Sequence, residues 1–81
     1  MDKQEIYQRL VEVLHESFDI ERERITPDAQ LVADLDIDSI DAVDVIVQMK
    51  QVTGKRLQPE AFKSVRTVQD VVDALYAVVH G

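Results

Sequence analysis

The sequence predicts an all-α fold of three main helices and one short helix, third in order, with a long loop between the first two. Apolar residues recur at helical spacing in separate stretches, and no stretch alternates between apolar and polar residues as a half-buried strand does. Gly and Pro occur only twice each, and there is no internal repeat or low-complexity linker. The 81 residues suffice for one hydrophobic core, so residues 1–81 are expected to form a single domain.

The first helix is predicted from a capping residue and an apolar stripe. Asp2 can cap its start, with Glu5 as a capping-box partner three residues later. The stripe that follows at helical spacing consists of Ile6, Leu10, Val13 and Leu14. The helix is expected to end near Ser17, and residues 19–37 then form a long ordered loop, in which Pro27 disfavours helix at the preceding residue. The side chains expected to anchor this loop to the core are Ile25, Leu31, Val32 and Leu35.

The remaining helices are predicted from signals at their ends. Asp38 starts the second helix, and Gly54 ends it because glycine is favoured just past a helix C-terminus. Pro59 can occupy the first turn of the short helix, in the segment PEAFK. Thr67 and Asp70 have the spacing of a capping box, which opens the last helix. The buried stripe of that helix is expected to be Val68, Val71, Val72, Leu75 and Val79.

Negative charge is concentrated in the middle of the chain. The formal net charge is −7, and residues 28–49 contain six Asp and no Lys or Arg. Nucleic acid is excluded as a partner because its phosphates need the opposite sign. Proteins with basic patches are favoured as partners, since complementary charge steers encounter and selects partners.

Several kinds of chemistry are excluded by what the sequence lacks. There is no Cys, so any thiol must come from a cofactor. No apolar run reaches the roughly 20 residues that span a bilayer, which predicts a cytoplasmic protein without membrane insertion. The two histidines have no companions at the spacing of a catalytic triad, so no enzyme is predicted. The acidic run from Asp34 resembles the opening of a calcium loop, but Ser39 and Val45 replace the Gly and Glu that such a loop needs. No metal site is therefore predicted.

The second helix has two apolar faces. Its core stripe is expected to be Ala42, Val45, Ile46 and Met49. Ile40, Val43 and Val47 also recur at helical spacing but point to a different side. A helix with more than one apolar side is either deeply buried or offers a partner surface, and deep burial is difficult with so few helices. We therefore expect these three residues to be exposed for docking, with burial in the core as the alternative.

Ser39 stands at the start of the second helix, where its hydroxyl can face solvent. Backbone N–H groups and the helix macrodipole favour an anion there, and a phosphodiester on Ser39 would gain from both. The neighbouring Asp36, Asp38 and Asp41 oppose such a group by charge. From these residues alone, a structural serine and a modified serine both remain open.

The stretch DLDIDSID at residues 34–41 resembles the phosphopantetheine attachment motif of acyl carrier proteins, in which D-S-L or D-S-I holds the modified serine. The resemblance covers essentially the whole chain, through ESFDIERERITPDAQLVADL, TGKRL, PEAF and TVQDVVDAL. It implies a right-handed four-helix bundle and a phosphopantetheine arm, transferred from coenzyme A to Ser39 by a Mg²⁺-dependent transferase. The arm then presents acyl thioesters to enzymes of fatty acid, polyketide or related lipid synthesis, and it supplies the thiol that the chain lacks.

The resemblance also implies roles for the neighbours of Ser39. Asp38 matches the acid beside the attachment serine, which in the family helps to hold the metal of the transferase. The residues that match the partner-recognition face are Ile40, Asp41, Val43, Asp44 and Val47. We expect a monomer whose partners are the transferase and acyl-loading and acyl-processing enzymes with basic patches.

Some residues depart from the family pattern. Asp36 stands where Gly is usual, which predicts a stiffer and more acidic entry to the second helix. Lys50 and Gln51 occupy positions that are commonly acidic in carriers of bacterial fatty acid synthesis, and QPEAFKSVR is less acidic than its usual counterpart. Because partner enzymes read charge, these departures favour a specialised pathway.

Two alternative functions remain open on the sequence. An aminoacyl or peptidyl carrier shares the fold and the arm, although DLDIDSID lacks the glycine-rich lead-in that is more frequent in such carriers. An unmodified helical interaction module could use Ile40, Val43 and Val47 to bind a partner helix. An arm on Ser39 separates a carrier from such a module.

Overall fold

The computed structural model describes residues 2–80, with the backbone alone for Pro59 and Phe62. Its helices are α1 (Lys3–Phe18), α2 (Ser39–Thr53), α3 (Pro59–Phe62) and α4 (Val68–His80), with a 3₁₀ turn at Arg22–Arg24. α1 packs against α2 and α4, and α3 contacts both α2 and α4. The described residues form no strand, so the all-α prediction is confirmed. The bundle is built from three long helices, because α3 is a single turn of 4 residues. No helix among residues 2–80 has the length and apolar character needed to cross a bilayer.

Both ends of α1 and the C-terminal end of α2 lie close to their predicted positions. Asp2 accepts the Glu5 N–H at its Oδ1 (2.8 Å). The Glu5 side chain makes no return bond within residues 2–80, so only half of that capping box forms. α1 ends at Phe18, one residue beyond the expected Ser17. Gly54 has a φ of 77° and donates its N–H to a carbonyl in the last turn of α2 (2.8 Å), which ends that helix as predicted.

The capping box of α4 is complete. Thr67 Oγ1 accepts the Asp70 N–H at 3.1 Å. In return, Asp70 Oδ2 accepts the N–H groups of Thr67 (3.2 Å) and Arg66 (3.1 Å). The bond from Arg66 and then that from Thr67 hold the pKa of Asp70 below its ordinary value of 3.8, because both favour the ionised carboxylate. The start of α4 is therefore stabilised by a contact that depends on pH.

One hydrophobic core lies between the long helices. α1 contributes the whole predicted stripe of Ile6, Leu10, Val13 and Leu14. α4 contributes Val68, Val71, Val72 and Leu75. Val79, which we expected in the same stripe, lies in the last turn of α4 and is only half-buried. The periodicity of the sequence thus identifies the core side of both helices.

The loop between α1 and α2 is an ordered part of the bundle. Its buried residues are Ile20, Ile25, Ala29, Leu31, Leu35 and Ile37. The Leu31 N–H donates to the Arg66 carbonyl (2.9 Å), and the Val68 N–H donates to the Ala29 carbonyl (3.0 Å). The loop is therefore held by backbone bonds to the segment that enters α4, as well as by its buried side chains.

Val32 does not anchor the loop, although we expected it to. Its side chain is 72% exposed. The Leu35 N–H donates to the Gln30 carbonyl (3.1 Å), and the Ile37 N–H donates to the Leu31 carbonyl (2.8 Å). These bonds close a tight turn in which Leu31 takes the inward position, so the next side chain faces out. The prediction for Val32 was wrong because apolar character alone does not give the direction of a side chain in a turn.

Asp36 has a left-handed backbone conformation, with a φ of 59°. This region disfavours residues with a Cβ, although Asp tolerates it better than most. It is the position at which the family resemblance leads one to expect Gly. The presence of Asp instead of Gly at position 36 therefore adds both backbone strain and a negative charge shortly before α2. Asp19, just past the end of α1, has the same conformation, with a φ of 58°.

We expect Asp70→Asn to lower the free energy of unfolding at neutral pH and to change it much less below about pH 4. The pKa of Asp70 is lowered by folding. Its stabilising contribution is therefore present above the unfolded-state pKa of about 3.9 and is lost as the pH falls through the folded-state value. Urea unfolding at neutral and acidic pH, followed by circular dichroism, measures the difference. Asp28→Asn is the control, because Asp28 is exposed and makes no hydrogen bond within residues 2–80. Equal effects of both substitutions at each pH would contradict the prediction.

We expect Asp36→Gly to raise the free energy of unfolding by about 0.5–1 kcal/mol, because glycine adopts a positive φ without strain. The substitution also removes one negative charge from an acidic segment, and the two gains outweigh the added entropy of the unfolded chain. Thermal unfolding should show a rise in Tm of a few degrees. Asp36→Asn removes the charge but keeps the Cβ, and Asp19→Gly relieves the same conformation outside the acidic segment. A gain from Asp36→Asn as large as that from Asp36→Gly would assign the effect to charge instead.

Candidate functional site

α2 has one buried and one exposed apolar face. The buried residues are Val45, Ile46 and Met49, with Ala42 half-buried beside them. On the other side, Ile40 is 78% exposed, Val43 55% and Val47 51%. Their predicted exposure is confirmed. Large apolar side chains that stay exposed on one helix face, while the same helix fills the core, mark a candidate contact surface.

Acidic side chains border this exposed face. Asp44 is exposed and lies four residues after Ile40 and three before Val47, so it is a neighbour of both on the helix surface. Asp41 is half-buried in the first turn of α2. The exposed face of α2 therefore combines apolar side chains with negative charge. A partner surface that carries both apolar and basic side chains would complement it.

Ser39 is the first residue of α2, directly after the capping residue Asp38. The Oδ1 atom of Asp38 accepts the Asp41 N–H at 2.9 Å, which fixes the start of the helix. Ser39 is exposed, and its hydroxyl makes no hydrogen bond within residues 2–80. The other two serines differ, because Ser17 donates to a glutamine side chain of α2 and Ser64 donates to a carbonyl of α3, both at 2.8 Å. Ser39 is thus the serine whose hydroxyl has no structural use among the described residues.

The backbone around Ser39 favours a negative group. The first N–H groups of a helix have no intrahelical acceptor, and the cap by Asp38 satisfies only that of Asp41. The N–H groups of Ser39 and Ile40 stay available, and the positive end of the macrodipole lies at the same place. Negative charge from the surrounding aspartates works in the opposite direction. The electrostatic potential at Ser39 therefore has two opposing contributions. The backbone N–H groups and the helix dipole make it more positive, and the aspartate side chains make it more negative.

An apolar pocket of about 550 Å³ opens beside Ser39. Its apolar wall comes from α2, from the loop before it and from the segment after α3: Leu31, Ile37, Ala42, Val43, Ile46 and Val65. Val32 also lines this pocket, together with the polar residues Asp38, Lys63 and Arg66. Sequence reasoning did not identify the pocket, since its walls come from three separate parts of the chain. In the sequence, the one feature that pointed to Lys63 and Arg66 was the low acidity of the segment QPEAFKSVR.

The three acidic residues that precede Ser39 have different structural roles. Asp34 Oδ2 accepts the Gln30 N–H at 2.7 Å within the loop. Asp36 lies in the left-handed turn and Asp38 caps α2. Among residues 2–80, no group of three or more His, Cys, Asp and Glu side chains is arranged to hold a metal ion. The arrangement is that of an anionic surface around Ser39.

His15 serves the fold. Its Nδ1 lies 2.8 Å from the Ile20 carbonyl oxygen, which can only accept, so Nδ1 carries the proton and donates it. This contact fixes the chain just after α1.

The chain is similar to known proteins over almost its whole length. The family model described as "Phosphopantetheine attachment site" matches residues 8–75. "Acyl carrier protein 2" of Ralstonia nicotianae is 46% identical over 79 residues, which are 98% of each chain. "Acyl carrier protein" of Coprothermobacter proteolyticus is 37% identical over 75 residues, 93% of this chain and 92% of that protein. "Meromycolate extension acyl carrier protein" of Mycolicibacterium aurum is 40% identical over 70 residues, 86% of this chain and 72% of that protein.

The match of the family model and the similarity to these relatives agree with the helical fold and with the serine at the start of α2. The chain therefore belongs to the acyl carrier protein family, whose members carry acyl groups for fatty acid or related biosynthesis on a covalently attached phosphopantetheine.

Proposed function

We propose that Ser39 is the residue to which the phosphopantetheine arm is attached. The observation that carries this proposal is the exposed Ser39 hydroxyl, which has no hydrogen bond within residues 2–80 and lies on the rim of an apolar pocket. Nothing in the described structure needs to move for this oxygen to reach an enzyme. The two available N–H groups at the start of α2 favour the phosphodiester that would form there.

The residues at this site fit a phosphopantetheine arm. The arm supplies a thiol, which this chain lacks because it contains no Cys. In the attachment, Ser39 Oγ would bond to the phosphorus of coenzyme A that bears the pantetheine, while the P–O bond that joins this phosphorus to the rest of the diphosphate breaks. Adenosine 3′,5′-bisphosphate would leave, and the hydroxyl proton of Ser39 would pass to a base of the transferase. The chain itself contributes a fixed position for Oγ in the first turn of α2.

In this proposal, Asp38 supplies one carboxylate oxygen as a ligand to the metal ion of the transferase. Its Oδ1 is committed to the Asp41 N–H, at 2.9 Å, which holds the carboxylate in place. Asp38 is exposed, and its other carboxylate oxygen makes no bond within residues 2–80. One carboxylate can therefore cap α2 and still offer an oxygen to Mg²⁺, which commonly takes one or two protein carboxylates.

The exposed face of α2 is the docking face for the transferase and for acyl-processing enzymes. Its apolar residues are Ile40, Val43 and Val47, and its acidic residues are Asp41 and Asp44. Basic patches on these enzymes complement the acids and set the orientation, while the apolar side chains supply the contact area. Nucleic acid is not a partner, because the same acids repel phosphates.

The remaining features of the proposal follow from this role. A single carrier domain presents the acyl group, acts as a monomer and leaves catalysis to its partners. The cytoplasmic location expected from the sequence stays a prediction. So does the specialised pathway suggested by Lys50, Gln51 and the weakly acidic QPEAFKSVR segment.

We expect incubation with coenzyme A, Mg²⁺ and a broad-specificity phosphopantetheinyl transferase to add one arm to the wild-type protein and none to Ser39→Ala. Intact-protein mass spectrometry measures the addition. Ser64→Ala is the matched control, because Ser64 is also exposed but donates its hydroxyl to a carbonyl. An arm on Ser39→Ala, or none on a folded wild type with the transferase of its own host, would refute Ser39 as the attachment site.

We expect Val47→Ser to lower the kcat/KM of arm attachment about 5- to 30-fold, the effect of losing about 1–2 kcal/mol of apolar contact. Its stability should change by less than about 0.5 kcal/mol, because Val47 is half-exposed. Val45→Ser is the matched control on the buried face, where Val45 is 2% exposed. It should cost at least about 2 kcal/mol of stability, since a buried methyl pair is replaced by a hydroxyl. Unchanged kinetics for Val47→Ser would contradict the docking role of this face.

A further inference from the structure

Two cationic side chains line the same pocket as Ser39. Lys63 and Arg66 lie in the segment between α3 and α4, and both are exposed. Neither side chain takes part in an ion pair or a hydrogen bond among the described residues, whose ion pairs involve α1, α4 and the 3₁₀ turn. Two free positive charges therefore stand at a pocket that also includes the proposed attachment residue.

The backbone of Arg66 is fixed although its side chain is free. Its N–H donates to Asp70 Oδ2 (3.1 Å), and its carbonyl accepts the Leu31 N–H (2.9 Å). The first bond belongs to the capping box of α4, and the second ties the segment to the loop that forms another wall of the pocket. The backbone of Arg66 is thus held in place, whereas its guanidinium can still change conformation.

A phosphodiester on Ser39 gains from a positive counter-charge, which the stretch of chain around Ser39 does not supply. Residues 28–49 contain six Asp and no Lys or Arg. A sphere of the pocket volume is about 10 Å across, close to the Debye length of about 8 Å at physiological ionic strength. Cations that line the same pocket therefore act on the phosphate without full screening. Asp38 also lines the pocket, but it forms no ion pair with either cation among residues 2–80.

We propose that Lys63 and Arg66 bind the phosphodiester of the arm on Ser39 and draw the first part of the arm across the mouth of the apolar pocket. This inference rests on the proposed attachment at Ser39. It assigns a ligand class, a monoanionic phosphodiester, to two side chains outside the acidic segment.

The apolar residues at the pocket mouth support this position of the arm. Val32 is 72% exposed and Val43 is 55% exposed, and both line the pocket. The pantothenate part of the arm carries two methyl groups next to its phosphate. When the phosphate lies between Ser39 and the two cations, these methyl groups can cover Val32 and Val43, which removes apolar surface from water. The turn that directs Val32 outward thus places an apolar side chain where the arm would contact it.

The experiment compares three holo proteins whose arm has been confirmed by mass: wild type, Lys63→Gln/Arg66→Gln and Lys55→Gln/Arg56→Gln. The last is the matched control, because Lys55 and Arg56 are exposed cations of the same two types that do not line the pocket. The ³¹P resonance of the arm reports on the phosphate. Nuclear Overhauser effects between the arm methyl groups and the methyl groups of Val32 and Val43 report on the contact.

We expect the methyl contacts in the wild type and in the Lys55/Arg56 control. In Lys63→Gln/Arg66→Gln, the equilibrium constant for the contact should fall about 2- to 30-fold, the range that two exposed ion pairs supply. Raising the ionic strength from about 0.01 M to about 1 M shortens the Debye length from about 30 Å to about 3 Å, and should move the wild-type ³¹P resonance towards that of the pocket variant. Lys63→Gln alone should give an intermediate result.

Each outcome separates the inference from the proposal on which it rests. If the arm is attached to Ser39 but the three proteins show the same ³¹P shift and the same methyl contacts, the cation contact is wrong and the carrier function stands. The same holds if the Lys55/Arg56 control changes as much as the pocket variant, since general charge would then explain the effect. If no arm is found on Ser39, both the attachment site and the cation contact are refuted.

Discussion

The backbone hydrogen bonds between the long loop and the segment that enters α4 hold the functional region together. Leu31 donates to the Arg66 carbonyl, and Val68 donates to the Ala29 carbonyl. These bonds join parts of the chain that are more than thirty residues apart in sequence, so they form only when the bundle folds. They bring the loop, the start of α2 and the segment after α3 around one pocket. The long loop is thereby tied to the rest of the bundle and holds the start of α2, where Ser39 lies, next to the segment after α3.

The second helix divides its apolar residues between stability and contact. Val45, Ile46 and Met49 fill the core, whereas Ile40, Val43 and Val47 remain in water. These side chains are half or more exposed and bury less apolar surface than the core residues do, so their grouping on one face fits a contact surface better than a role in the core. In the proposed docking role, the acidic neighbours of this face would select against wrong partners by charge. A small domain can leave such residues exposed because other parts of the chain supply most of its core, here α1, α4 and the loop between α1 and α2.

The entry to α2 violates local preferences at several adjacent positions. Asp36 is in a left-handed conformation, and the segment around it is crowded with like charges. Such departures from local rules are expected at functional sites, where other parts of the molecule compensate for them. Here the bonds of Asp34 and Asp38 to backbone N–H groups supply part of that compensation. The charge also changes along the chain, because residues 28–49 contain six Asp and no Lys or Arg, whereas residues 63–66 contain two cations and no acid.

Much of this protein is determined by its sequence alone. The helical periodicity identified the core stripes of α1, α2 and α4, since residues three and four apart share a helix face whatever the tertiary structure. The capping signals at Asp38, Gly54 and Thr67 are equally local and were confirmed. The motif around Ser39 predicted the family. Tertiary structure decided what depends on contacts between distant segments: the outward direction of Val32, the pocket, and the placement of Lys63 and Arg66 beside Ser39. Such features depend on how turns orient side chains and on which segments pack together, and neither is encoded in the spacing of residues along one helix.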